Sequence, residues 1–419
     1  MKNIKTLFAA FFIMFTAILV VSCSDADDTP ANDADHTLIV FLPWTGGGNS
    51  LLIDFQTNIA DMKTAIERGD KPAADRVVVY FAESSAKSRL FELLVENGKC
   101  VEKTLKTYTG NNALTASAVA RVLGDAKGYA PAREYSMIVG GHGLGWIPTA
   151  DYLDNTRSVK QRMMLKSQKR PLTRFFGGNA SEYMIDIDEF ARGIKNAGMT
   201  MNYILFDDCY MSNVEVAYEL KDVTRYMVAS PAEMMNYGMP YERILKHLFG
   251  TPDFSAVCDE MVAFYRSYTY KGRLYPYATI AVTDCRELDA LATLMRRINS
   301  LAENDINSSI ESNINSLSET KTNTSGIQVL DGYAPPIFYD LGDYARHLCS
   351  DSELSLKFDV QLRKAVPYFN NTEYYFTDLA GFNGEARRIT EYSGLTVSDS
   401  STNPLAKSKQ VTAWWKATH

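Results

Sequence analysis

Two stretches of this chain hold residue types able to carry out nucleophilic chemistry. "ILFDDCYMSNVEVAYEL" (204–220) opens as an apolar strand, closes with helical spacing, and places Cys209 at the junction, directly after Asp207 and Asp208. "YSMIVGGHGLGW" (135–146) has the same build, and its glycine-rich turn carries His142, one of five histidines. A thiol attacks as its thiolate, and a nearby imidazole can exchange the proton as bonds are made and broken. A helix starting near Cys209 would aim its first N–H groups at the sulfur and favour thiolate. The two aspartates oppose it, so at least one carboxylate is expected to point elsewhere. Glycines on both sides of His142 let backbone N–H groups approach a substrate carbonyl, as an oxyanion hole requires. Each residue alone has a blander reading: a small buried hydrophobe for the cysteine, a turn residue for the histidine. They form a candidate dyad only if their strands meet.

The elements that must position them follow from periodicity. Nearly continuous apolar runs predict strands at 36–44, 76–83, 135–141, 202–208, 225–231 and 277–284, several of them covered on both faces as parallel strands are. Between them, "LLIDFQTNIADMKTAIERG" (51–69), 116–128 and 187–198 carry helical spacing. Alternation of strand and helix predicts an α/β/α sandwich on a mostly parallel sheet. Ligands of such sheets collect outside the carboxyl ends of the strands, and both His142 and Cys209 fall just past such an end. Beyond 285 the reading thins: a helix over 286–298, a stripe from Leu301 to Leu317 on another, a loop at 318–326, then short helices and aromatic-rich strands. "TGGGNS" (45–50) lacks the spacing of a phosphate-binding loop.

The 419 residues carry a formal net charge of -7 with no long basic run, which argues against a nucleic-acid partner. The start, "MKNIKTLFAAFFIMFTAILVVSCSD", has a basic opening, an apolar run from Leu7 to Val21 and then Ser22-Cys23. That pattern is a secretory signal peptide rather than a spanning helix. Its "VVSC" ending resembles a bacterial lipobox, which makes Cys23 the lipidated first residue of the mature chain and predicts a lipid-anchored protein of the bacterial cell envelope, at the outer membrane or cell surface. Residues 23–35 read as a flexible tether. Five cysteines remain after Cys23, an odd number, so a free thiol is expected. No clustered His/Cys spacing suggests zinc.

A wider set of motifs carries a family resemblance. "HGLGW" (142–146), "DDCYMSNVEVAYEL" (207–220) and "ASPAEMMNYGMPY" (229–241) resemble the clostripain family (C11-type) of cysteine peptidases, members of the caspase-like clan with gingipains and legumains. "RFFGG" (174–178), "YDLGDYA" (339–345) and "YSGLTVSDS…TAWWKAT" (392–418) are similar to the same family, so the likeness runs from about residue 36 to the end. It implies a dyad of Cys209 and His142, an oxyanion hole from the N–H groups of Gly143 and Cys209, and protein or peptide substrates with Arg, then Lys, at P1. Asp207 would be the matching carboxylate, with Glu233 a second candidate for that pocket. Two departures stand out: Asp208 replaces the small residue usual before the cysteine, and Leu144 a small polar one. Calcium dependence occurs in the family, but no DxDxDG-type loop appears here, and no other cofactor is expected.

Between the two turns lies "VKQRMMLKSQKRPLTRFFGG" (159–178), basic, largely polar and without periodicity, which reads as an exposed loop. It offers Lys166, Lys169 and Arg174 as self-cleavage sites, whereas Pro171 makes Arg170 a poor one. The expected organisation is a signal peptide (1–22), the tether (23–35), a caspase-like core (36–285) and a C-terminal part packed on it (286–419). Two rivals are a non-catalytic envelope lipoprotein with a caspase-like fold and a peptidase of different P1 preference.

Overall fold

The computed structural model describes residues 34–46, 51–156, 180–312, 324–378 and 384–419. The stretch read as a signal peptide, Cys23 and the basic stretch with Lys166, Lys169 and Arg174 lie outside the described residues.

Nine strands make the main sheet: β1 (Ala34–Leu42), β2 (Arg76–Ser84), β3 (Lys87–Glu96), β4 (Lys99–Thr109), β5 (Ala132–Gly140), β6 (Met201–Asp207), β7 (Thr224–Ala229), β8 (Thr279–Asp284) and β9 (Tyr368–Asn371), in the order β9-β8-β7-β6-β5-β1-β2-β3-β4. The centre, from β7 to β2, is parallel throughout, and antiparallel strands extend it on both sides. All six strands predicted from apolar runs are present. One departs in direction: β8 is buried at every position yet runs antiparallel to β7, because burial on both faces says nothing about direction. β1 begins at Ala34, two residues inside the stretch read as tether.

Helices cover both faces. On one side, α1 (Leu52–Glu67) buries Phe55, Ile59, Met62 and Ile66 and stops before Gly69, whose φ of 96° ends the helix. On the other, α2 (Ala116–Tyr129) is capped by Thr115 and packs on α4 (Ile187–Asn196), where Gly193 lies so close to Val119 that a Cβ would sit 2.8 Å from the valine Cβ. The short α3 (Thr149–Thr156) leads toward the basic stretch, and α5 (Val214–Leu220) joins β6 to β7. The remaining helices are α6 (Phe254–Tyr265), α7 (Leu288–Ser312), α8 (Leu341–Leu348), α9 (Ser352–Ala365) and α10 (Ala413–Thr418). α10 wedges between α5 and α7, burying Trp414 completely. Residues 34–419 form one compact unit, and a small hairpin of β10 (Tyr374–Thr377) with β11 (Glu385–Arg388) stands beside the sheet.

Candidate active site

The two chemistry-bearing turns meet because β5 and β6 are parallel neighbours in register. Gly140 pairs with Asp207, so His142 and Cys209 each lie two residues beyond that pair at the carboxyl end of the sheet. Both are buried, His142 to 4% exposure and Cys209 to 0%. The approach is closest at Gly143: a Cβ built there would fall 1.8 Å from the Cys209 carbonyl oxygen and 2.8 Å from its nitrogen. No side chain fits, which is the physical reason for glycine at this position. Gly145, at φ 64°, similarly faces the Asn213 side chain and the Tyr210 carbonyl.

The expected helix at Cys209 is not there. The chain leaves β6 in a turn, with Tyr210 in the left-handed region at φ 58°, and α5 starts only at Val214. Asn213 caps it, accepting from the Val216 N–H at 3.0 Å and donating to the Tyr210 carbonyl at 2.5 Å. An asparagine cap outcompetes the thiol as a helix start because its amide oxygen satisfies an orphan donor. The sulfur finds its donor elsewhere: the Met234 N–H points at Sγ from 3.2 Å. Two backbone bonds, Tyr210 N–H to the Ala232 carbonyl and Ser212 N–H to the Ser230 carbonyl, lace the turn to the segment carrying Met234.

The three nearby carboxylates differ in surroundings. Asp207 is buried and accepts from the Met239 N–H and the Tyr241 hydroxyl, each at 3.0 Å. Asp208 is wholly buried. Glu233 accepts from the Tyr210 hydroxyl at 2.6 Å, the Thr377 hydroxyl at 2.5 Å and the Asp378 N–H. Burial first, and the Glu233 charge after it, hold the Tyr210 phenol well above its usual range, so it stays a donor.

The far end of the chain closes the site. Phe338 stacks on the Tyr210 ring at 5.3 Å, and Tyr333 packs beside it. Thr396 N–H bonds the Ser212 carbonyl, Ser212 Oγ donates to the Gly394 carbonyl, and Trp146 Nε1 donates to Ser398 Oγ at 2.9 Å. Met234, Tyr210, Thr377 and Ser398 were not among the residues singled out from sequence. Their contributions are backbone donors, a backbone angle and hydroxyls, none of which leaves a mark in residue type or spacing.

Cys209 is distinguished from the other thiols by position. The five described cysteines are all free, which fits the expectation of unpaired thiol. Burial pushes Cys100 up to about 11 and Cys258 and Cys285 up to about 12, and it raises Cys349 as well; such thiols are poor nucleophiles. Among the described residues no group of three or more His, Cys, Asp or Glu is placed to hold a metal ion, and no helix is long and apolar enough to cross a membrane.

The α/β/α sandwich thus brings a thiol and an imidazole to the carboxyl ends of adjacent parallel strands. Residues 43–357 match the clostripain family. Among solved structures, a secreted C11 cysteine protease from Bacteroides thetaiotaomicron, "iotapain", is 40% identical over 92% of this chain and 100% of that one, with a TM-score of 0.79. A clostripain from Bacteroides thetaiotaomicron ATCC 29148, solved in complex with a peptide inhibitor, is 46% identical over 58% of this chain and 99% of that one, with a TM-score of 0.51. A second secreted C11 protease of that species, 19% identical over 92% of this chain and 98% of its own, shares the fold at a TM-score of 0.71. No curated protein matches significantly. The chain belongs to the clostripain family and is a cysteine peptidase.

Proposed function

We propose that the protein is an endopeptidase that cleaves after Arg, and second after Lys, through a Cys209–His142 dyad. The observation that carries this reading is the meeting of the two turns, with Gly143 packed against the Cys209 peptide group. The Cys209 thiolate attacks the scissile carbonyl carbon, and the N–H groups of Gly143 and Cys209 receive the oxyanion. Protonated His142 gives its proton to the departing amine as the C–N bond breaks, leaving a thioester. Water, deprotonated by His142, then attacks that thioester, and the acid product leaves as the thiol is restored. The Met234 N–H lowers the cost of a negative sulfur in a buried site.

The basic P1 preference rests on Asp207, a buried carboxylate two residues before the nucleophile. It is supported by the inhibitor bound to the 46%-identical clostripain, BTN-VLTK-AOMK, whose peptide ends in lysine. Profiling with Arg, Lys, Asp and Asn peptides tests the proposal. Cys209→Ala should abolish cleavage, while Cys100→Ala, Cys258→Ala and Cys285→Ala retain it. Asp207→Asn should cost Arg substrates about 2–5 kcal/mol of kcat/KM and uncharged ones far less. Cleavage by Cys209→Ala would end the dyad assignment, and equal losses across P1 types would make Asp207 structural.

The same reading includes an exported, lipid-anchored protein that is latent until cut in the basic stretch at Lys166, Lys169 or Arg174. Export is supported by the signal-like start and by the 40%-identical relative being described as secreted. Acyl chains on Cys23 would each contribute about 0.8 kcal/mol per buried methylene. Cys23→Ser should therefore leave the membrane fraction; a wild-type protein that takes up no labelled fatty acid would refute the anchor.

A further inference from the structure

We propose that Glu233 is a positioning residue for the peptidase reaction: its carboxylate fixes the Tyr210 turn and its own peptide unit so that the Met234 N–H is held against the Cys209 sulfur. This rests on Cys209 being the nucleophile and assigns Glu233 a different task from the substrate pocket suggested by its place in the sequence.

The donors to Glu233 come from two remote parts of the chain. Tyr210, the residue after the thiol, gives its hydroxyl to Oε1 at 2.6 Å. Thr377 gives its hydroxyl to the same oxygen at 2.5 Å, and the Asp378 N–H reaches Oε2 at 3.0 Å and Oε1 at 3.2 Å. Both oxygens are thus occupied by donors from the protein itself, and only 5% of the residue is exposed. The carboxylate therefore ties the nucleophile turn to the end of β10, where Thr377 also lies against Gly332: a Cβ there would meet Thr377 Oγ1 at 2.1 Å.

Tyr210 needs such a tie. A non-glycine residue at φ 58° is strained by its Cβ, so the turn persists because its surroundings over-determine it. Glu233 does this while sitting in the same peptide unit as the key donor, since the amide joining Glu233 to Met234 supplies the N–H that faces Sγ at 3.2 Å. The donors that anchor the Glu233 side chain therefore bear on the backbone that carries that N–H. Without it, the buried sulfur loses a donor that favours its charged form.

The test separates three roles. Wild type, Glu233→Gln and Glu233→Ala are assayed for kcat and KM on Arg and on uncharged P1 substrates. Cys209 is alkylated with iodoacetamide across pH, with the site mapped by mass spectrometry. Iodoacetamide carries no P1 side chain. Positioning predicts that Glu233→Ala lowers kcat about tenfold for both substrate types with KM little changed. The alkylation profile should shift to higher pH by about half a unit or more, and Glu233→Gln, which keeps one acceptor oxygen, should fall between. Tyr210→Phe removes one donor but keeps the ring that stacks on Phe338, and should shift the profile the same way if Glu233→Ala does not fold. A rise in KM confined to Arg substrates with an unmoved profile would instead make Glu233 a substrate ligand. A lowered melting temperature with unchanged kcat and profile would make it structural; either outcome overturns the proposal. If alkylated Cys209 leaves activity intact, the nucleophile assignment itself falls, and this proposal with it.

Discussion

A single methyl group measures how closely the two turns approach. Gly143→Ala would place a carbon 1.8 Å from the Cys209 carbonyl oxygen, so one backbone must move. Both neighbours are backbone atoms, and neither can swing aside as a side chain would. A displacement of about 1 Å in a catalytic group can cost about a hundredfold in rate. We therefore expect Gly143→Ala to lower kcat/KM by about that factor while the protein remains folded. Gly124→Ala is the control. It lies on α2 with nothing within 4 Å of its added Cβ, and should leave activity unchanged while stabilising the fold by about 0.4–1 kcal/mol. Equal activity in the two variants, measured on one Arg peptide, would mean that the His142 turn is not held where the geometry puts it. At this scale the pair itself was legible, because a strand running into a glycine turn with His, and another into a turn with Cys, are sequence events. The Met234 donor was not, since any residue type can supply an N–H.

The elements show the same division. Period-3.6 runs such as Phe55, Ile59, Met62 and Ile66 predict helices because burial on one face requires that spacing. The β3–β4 hairpin went unread, although Asn97 and Gly98 at φ 51° and 75° form its turn and Asn-Gly is a known hairpin signal. Its strands are half-exposed and so lack the continuous apolar runs that marked the others. α5 conceals more. Glu215, a charged residue in its first turn, is buried, with Oε1 accepting from the Ser398 N–H at 2.7 Å. Burial, and then the nearby Asp399, raise its carboxyl well above the ordinary range. Burial also raises Asp399, against the pull of Lys409 and Trp414, and burial followed by the Asp399 charge raises the Tyr344 phenol. Both acids gain protons on folding, so their stabilising contribution is full below the unfolded carboxylate range and is lost as pH rises through the raised values. Glu215→Gln should remove part of that loss. Melting curves at about pH 5 and pH 9 should show a smaller fall for the variant, by about 1–2 kcal/mol. An identical fall in both proteins would show that folding does not raise the Glu215 carboxyl.

Across the whole molecule, the site depends on segments brought together from most of the described length. The His142 turn leans on Ser398 through Trp146, the Cys209 turn on Gly394 and Thr396, and Glu233 on Thr377. The later residues of these pairs lie in the third of the sequence where periodicity was weakest, because short strands and turns are specified by tertiary contacts rather than by local pattern. The same architecture sets the outcome of a cut between the turns. β5 and β6 pair directly from Met137 with Ile204 to Gly140 with Asp207, and each has a further parallel neighbour. The basic stretch lies between α3, which ends at Thr156, and the turn that begins at Ser181, so cleavage there severs none of the described sheet pairings. A chain cut at Lys166, Lys169 or Arg174 should therefore stay associated, with His142 on one fragment and Cys209 on the other. Purified wild-type protein should accumulate two bands on a denaturing gel that elute as one species on native size exclusion, with activity rising as the intact band falls. Cys209→Ala should remain one chain, and so should a variant with Lys166, Lys169 and Arg174 all changed to Ala, which should also stay weakly active until cut by an added trypsin-like peptidase. Full activity in that uncut triple variant, or identical nicking of Cys209→Ala, would show that this peptidase needs no cut of its own making.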